Sequence, residues 1–76
     1  MSEIKVYGAD WCGDCRRAKA VLNEQNVSFE YIDLVAHPEK KAVAQEISGR
    51  SKIPVIVFPD GSFLSEPANE EIIRKL

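Results

Sequence analysis

Cys12 and Cys15 are the only thiols of the 76-residue chain, and they bracket Gly13 and Asp14. A Cys-x-x-Cys pair can serve as a structural disulfide, as half of a metal site, or as a couple that exchanges disulfides. A bridge over two intervening residues closes so short a loop that it constrains the unfolded chain little, so a staple explains the pair poorly. Thiolates at this spacing also ligate zinc. Here only His37, beside Pro38, and scattered carboxylates remain to complete four ligands. The exchange reading needs a thiolate nucleophile and a second thiol close behind it.

The elements around the motif decide which thiol plays which part. Ile4 and Val6, with Ala9 beyond them, stand among polar neighbours in the alternation of a first strand over Glu3 to Tyr7, after which Gly8 releases the chain into a loop. From about Gly13 to Gln25 there is no proline, and Cys15, Ala18, Val21 and Leu22 recur at helical spacing. The helix therefore begins at the motif. Cys12 occupies its positive end, where negative charge is favoured. Cys15 lies nearly one turn deeper, on the face shared with Ala18 and Leu22, and is expected to be buried. Cys12 is placed to attack and Cys15 to resolve.

Asn26 ends this helix, and Val27 to Leu34, rich in aromatic and β-branched residues, reads as a second strand. Strand, helix, strand is a βαβ unit with parallel strands, in which reacting groups gather beyond the strands' carboxyl ends. His37-Pro38-Glu39 opens a second helix, with Ala42, Val43, Ala44 and Ile47 as its buried side and Ser48-Gly49 as its stop. Pro54 to Phe58 is a short apolar run, the pattern of a strand covered on both faces. Pro59-Asp60-Gly61 turns it into Ser62-Phe63-Leu64 as a hairpin. After Ser65-Glu66-Pro67, a closing helix puts Ile72, Ile73 and Leu76 on one side.

Several neighbours bear on the motif. Trp11 is either a core aromatic or a flat apolar wall beside the attacking sulfur. Asp14 opposes a thiolate at Cys12, whereas Arg16, Arg17 and Lys52 favour one if they reach it. The Ile53-Pro54 step places a proline at the opening of an interior-looking strand, which is explained by a cis bond in a tight turn or by a trans proline on an edge strand.

Composition sets the outer limits. At 76 residues the chain has room for a single domain, residues 1–76. A net charge of -2, without clustered Lys and Arg, gives no footprint for nucleic acid. No apolar run reaches the roughly 20 residues that cross a bilayer. The first residues, Met1 to Lys5, enter a strand pattern rather than a signal peptide, so a cytoplasmic location is expected. A monomer is the expectation at this size.

With Trp11-Cys12-Gly13-Asp14-Cys15 after a first strand and Ile53-Pro54 before a hairpin, the chain resembles the glutaredoxin family of the thioredoxin fold from Ile4 to Leu76. The resemblance implies an α/β fold of order β-α-β-α-β-β-α, with a four-stranded mixed sheet and three helices. It also implies Cys12 as nucleophile, Cys15 as resolving thiol, Pro54 as a cis proline facing them, and the Ile53 backbone pairing with an extended substrate. Glutaredoxins usually carry a Gly-Gly pair and an acidic residue near the last helix for the γ-glutamyl carboxylate of glutathione. Here those positions look like Ser65-Glu66 and Ala68-Asn69. The stretch Gly61 to Pro67 looks more like mycoredoxins, which reduce mycothiol mixed disulfides, and is similar to small redoxins that feed ribonucleotide reductase. Lys52 stands two residues before the proline, where the family commonly has Thr.

The expected activity is reduction of protein disulfides or mixed disulfides of mycothiol or glutathione, recharged by another thiol or a flavoprotein reductase, with no metal or organic cofactor. Trp11, Lys52, Ile53, Pro54, Ser65 and Glu66 form the expected substrate-binding set around Cys12 and Cys15. The alternatives are an iron-sulfur or metal carrier, in which Cys12 of two chains ligates a cluster, and an electron donor to ribonucleotide reductase.

Overall fold

The computed structural model describes residues 3–76, so the expectation for Met1 and Ser2 lies outside the described residues. Seven elements follow one another: β1 (Ile4–Gly8), α1 (Gly13–Glu24), β2 (Phe29–Asp33), α2 (Lys40–Ser48), β3 (Val55–Val57), β4 (Phe63–Ser65) and α3 (Asn69–Lys75). The sheet runs in the order β2-β1-β3-β4. β1 pairs with β2 in parallel and with β3 antiparallel, and β3 pairs antiparallel with β4. This is the mixed α/β sheet of a thioredoxin-like fold.

β1 is central, and its burial shows it. The simple alternation expected there gives way to Ile4, Val6, Tyr7 and Gly8 buried with Lys5 alone exposed, because helices cover both faces. On one face Ile4 and Val6 meet Ala18, Val21 and Leu22 of α1, Ile56 of β3 and Ile72 of α3. On the other, Tyr7, Leu34 and Val55 meet Ala44 of α2. The stripe that α1 buries is the expected one, Cys15, Ala18, Val21 and Leu22. Asn26, in the left-handed region with φ 56, reverses the chain behind α1, and the Val27 N–H returns to the Leu22 carbonyl at 3.1 Å in a Schellman-type closure.

Several boundaries and faces differ from expectation. β2 is shorter than Val27 to Leu34, since Val27 closes α1 and Leu34 adds a single bond to the Gly8 carbonyl at 2.8 Å. α2 starts at Lys40 rather than at His37-Pro38-Glu39, which make turns: the Lys40 and Lys41 N–H groups reach back to the His37 and Pro38 carbonyls. Of its expected buried side only Ala44 is buried, with Ile47 half-buried, while Ala42 and Val43 face outward. A nine-residue helix crossing one face of a small sheet makes a narrow contact. On α3 only Ile72 is buried, and Ile73 and Leu76 are exposed, because this seven-residue helix meets the core through one turn. β4 is displaced by one residue to Phe63–Ser65, with Val57 opposite Phe63. The Asp60 side chain ties the turn by accepting from the Ser62 N–H at 2.9 Å.

Candidate active site

Cys12 stands at the junction of the β1–α1 loop and α1. Its own N–H donates to the Ala9 carbonyl at 3.0 Å, and its carbonyl accepts from the Arg16 N–H at 3.1 Å, so the helix grows directly out of it. As N-cap it has extended backbone and no side-chain cap, which leaves the sulfur at the end where backbone N–H groups lack partners. Cys12 is half-buried and Cys15 fully buried; both are thiols, 3.2 Å apart. One thiol therefore meets solvent while the other does not.

Burial, the largest cause, pushes the Cys15 thiol up to about 12; a hydrogen bond to the Cys12 sulfur and the charges of Cys12 and Asp14 add to this, and the Ala9 backbone hydrogen bond opposes it. A covalent bond at Cys12 removes both Cys12 contributions. Cys15 would then ionise more easily.

The charges that bear on Cys12 are largely committed elsewhere. Arg16 Nη1 donates to the Asp10 carbonyl at 2.6 Å. Arg17 Nη2 lies 3.4 Å from the Asp14 carboxylate and donates to the Pro67 carbonyl at 3.2 Å. Asp14 thus has its own counter-ion. Lys52 is exposed and lines a groove rather than the motif.

The expected substrate-binding residues fall into two groups. Trp11 is 72% exposed, so it is not a core aromatic. With Lys52 and Ile53 it lines a groove of about 230 Å³, whose other charged walls are Lys41 and Arg50. Trp11 and Ile53 also border a neighbouring groove of about 260 Å³ together with Val35 and Pro38. Pro54, Ser65 and Glu66 do not line these grooves. Pro54 is buried behind Ile53, and the bond between them is cis. β3 begins only at Val55, so Ile53 stays outside the sheet ladder. The Pro54 carbonyl accepts from the Glu66 N–H at 2.9 Å. Glu66, left-handed at φ 50, turns its carboxylate onto Arg50 at 3.1 Å. The Ser65 hydroxyl and the Asn69 side-chain oxygen are buried without a hydrogen-bond partner among the described residues.

Two site residues escaped the sequence reading. A Cβ on Gly8 would sit 2.7 Å from the Cys15 sulfur and 3.2 Å from the Tyr31 hydroxyl, so glycine is what lets Cys15 and Tyr31 approach the end of β1. A glycine inside a strand that feeds a reactive loop is the available signal. Tyr31 shares its face of β2 with Phe29, and both pack on the α1 side of the sheet. Period-two counting from Phe29 would have pointed it at the motif helix. No group of three or more His, Cys, Asp or Glu among the described residues could hold a metal ion, and none of the described helices is long and apolar enough to cross a membrane.

A sheet of order β2-β1-β3-β4 with a dithiol at the start of α1 defines a thiol redox protein of the thioredoxin-like fold. The glutaredoxin family model matches residues 4–64, and the chain belongs to the glutaredoxin family. Mycoredoxin 1 of Corynebacterium glutamicum is 27% identical to it over 77 residues, covering 100% of this chain and 95% of the relative. Among solved structures, a glutaredoxin of Archaeoglobus fulgidus superposes with a TM-score of 0.85 at 25% identity, covering 97% of this chain and 85% of the other. The glutaredoxin-like NrdH-redoxin of Escherichia coli, described as having a thioredoxin-like activity profile, gives 0.79 at 26%, covering 96% and 93%.

Proposed function

We propose that the chain reduces disulfides by a two-thiol relay. The Cys12 thiolate attacks a substrate disulfide, forms a mixed disulfide and expels one substrate thiolate. Cys15 gives up its proton and attacks the Cys12 sulfur; the Cys12–Cys15 bond forms, the bond to the substrate breaks, and the second substrate thiol leaves with a proton. Two electrons and two protons from another thiol or a flavoprotein reductase restore the dithiol. The observation that carries this is the asymmetry of the pair, a half-buried Cys12 3.2 Å from a fully buried Cys15.

Trp11 and the Ile53 backbone form the slot, with Pro54 holding Ile53 in place. The partners are protein disulfides or mixed disulfides of a low-molecular-weight thiol, in a reducing cytoplasm. Mycothiol or a protein is favoured over glutathione, because Ala68 offers no polar side chain to a γ-glutamyl carboxylate. The Glu66 carboxylate is a weaker objection than its sequence position suggests, since Arg50 offsets its charge. The likeness to mycoredoxin 1 and NrdH-redoxin points the same way.

The test is to expose a Cys15→Ser variant to cell extract and weigh what stays on Cys12. A protein or small thiol bound through a reducible bond is expected, and Cys12→Ser should trap nothing. Full reductase activity in Cys12→Ser would overturn the reading.

A further inference from the structure

Tyr31 is a buried group near Cys15 that the relay does not use. Its hydroxyl is buried and lacks a hydrogen-bond partner among the described residues. An orphaned buried hydroxyl costs stability that phenylalanine would recover, so its presence asks for a state in which it is used. The same point in space, the Cβ that Gly8 lacks, lies 2.7 Å from the Cys15 sulfur, 3.1 Å from the Cys15 Cβ and 3.2 Å from the Tyr31 oxygen. Cys15 and Tyr31 therefore converge on one small space at the end of β1, closed to solvent on the Cys15 side.

We infer that the Tyr31 hydroxyl is the hydrogen-bond donor that steadies the Cys15 sulfur as it becomes a thiolate and attacks the mixed disulfide at Cys12. The inference rests on the two-thiol relay proposed above. In the resting dithiol, Cys15 keeps its proton and is hydrogen-bonded to the Cys12 sulfur, so it has no call on Tyr31. Once Cys12 carries a substrate, that interaction is lost and the emerging Cys15 anion, buried away from water, has only the Ala9 backbone hydrogen bond. A second donor is then worth most, because hydrogen bonds to charged groups are the strong ones. Tyr31 keeps its own proton throughout: the Cys15–Cys12 bond forms, the Cys12–substrate bond breaks, and the proton that Cys15 gives up ends on the departing substrate thiolate.

The charges around Tyr31 make it a donor and not a base. Burial first, then Cys15, Asp10, Asp33 and Cys12, all hold the phenol protonated well above its ordinary range. On its other side Lys19 Nζ lies 4.0 Å above the ring centre and 3.4 Å from the Asp10 carboxylate. Asp14, on the helix itself, also acts against ionisation of Cys15.

The test uses an aromatic disulfide whose thiolate absorbs visible light, so that attack by Cys12 and resolution by Cys15 release it in two successive phases. Tyr31→Phe is expected to leave the first phase unchanged and slow the second by about tenfold, the effect of losing one hydrogen bond to an anion. The rate–pH curve of the second phase should move to higher pH. The folded state should be no less stable than the parent, because an unpartnered hydroxyl has been removed. As a second variant, 3-fluorotyrosine at position 31, a stronger donor that keeps the ring, should speed the second phase. An unchanged second phase in both variants, or equal slowing of both phases, would overturn the role of Tyr31. Failure of the relay itself is distinguishable, since it would show as a second phase that persists in Cys15→Ser with Tyr31 intact.

Discussion

Gly8→Ala tests the packing on which the site depends. The added methyl would meet the Cys15 sulfur at 2.7 Å and the Cys15 Cβ at 3.1 Å. Neither neighbour has a free exit. Cys15 is fully buried on α1, where helical backbone leaves few usable rotamers. Gly8 itself is fixed by pairing with Asp33 on one side and by accepting from the Leu34 N–H at 2.8 Å. Overpacking of this kind costs about 1–3 kcal/mol. For a domain of this size each kcal/mol lowers Tm by roughly 4–8 °C. If the sulfur swings aside instead, its close approach to Cys12 is lost and resolution slows while attack by Cys12 continues. Urea denaturation of the reduced protein reads the first outcome, and two-phase disulfide kinetics reads the second. Making Gly8→Ala again in a Cys15→Ala background removes the shortest contact, so a coupling of at least about 1 kcal/mol is expected. A cost below about 0.5 kcal/mol with unchanged kinetics, or the same cost in both backgrounds, would refute the close-approach account.

Two further outcomes follow from the site's surface and its buried thiol. Trp11→Ala, at a residue 72% exposed, should alter stability by less than about 0.5 kcal/mol. It should lower kcat/KM toward a protein disulfide about tenfold, mainly through KM, as for an aromatic anchor; an unchanged KM would remove Trp11 from the docking wall. The reduced protein should also lose stability in alkali. Cys15 titrates at about 12 when folded against an ordinary 9.0, so its contribution is fully present below pH 9 and is lost as pH rises toward 12. The slope is up to about 1.4 kcal/mol per pH unit. Cys15→Ala should flatten it, and an identical slope in parent and variant would contradict the burial.

The sequence made the order of elements legible because each carries a clear period. α1 shows its stripe of Cys15, Ala18, Val21 and Leu22, and the run from Pro54 to Phe58 announces a strand covered on both sides. The deeper burial of Cys15 relative to Cys12 followed from one turn of helix geometry. What the sequence hid were contacts between distant segments. Burial on both faces of β1 depends on α2 lying opposite α1 and α3, which local alternation does not register. Val43, Ile73 and Leu76 have the right spacing for a core but lie on helices too short to bury a full stripe. The link between Arg50 and Glu66 spans sixteen residues, so its effect on charge near the substrate slot was out of reach.

Under the proposed relay, the placement of Cys15 would let one small domain perform two opposite tasks with the same functional group. A resolving thiol that ionised freely would compete with Cys12 for substrate or close onto it too early. Full burial opposes this, because the anion lacks water and the neighbouring Cys12 sulfur also disfavours it. The restraint depends on Cys12 being a thiol, so it relaxes when Cys12 becomes part of a mixed disulfide. In the proposed relay the order of the two steps would thereby be set by the chemical state of the first sulfur, with no moving lid required. Gly8 is the structural condition for the arrangement, since any side chain there would push Cys15 out of the enclosed position from which this restraint comes.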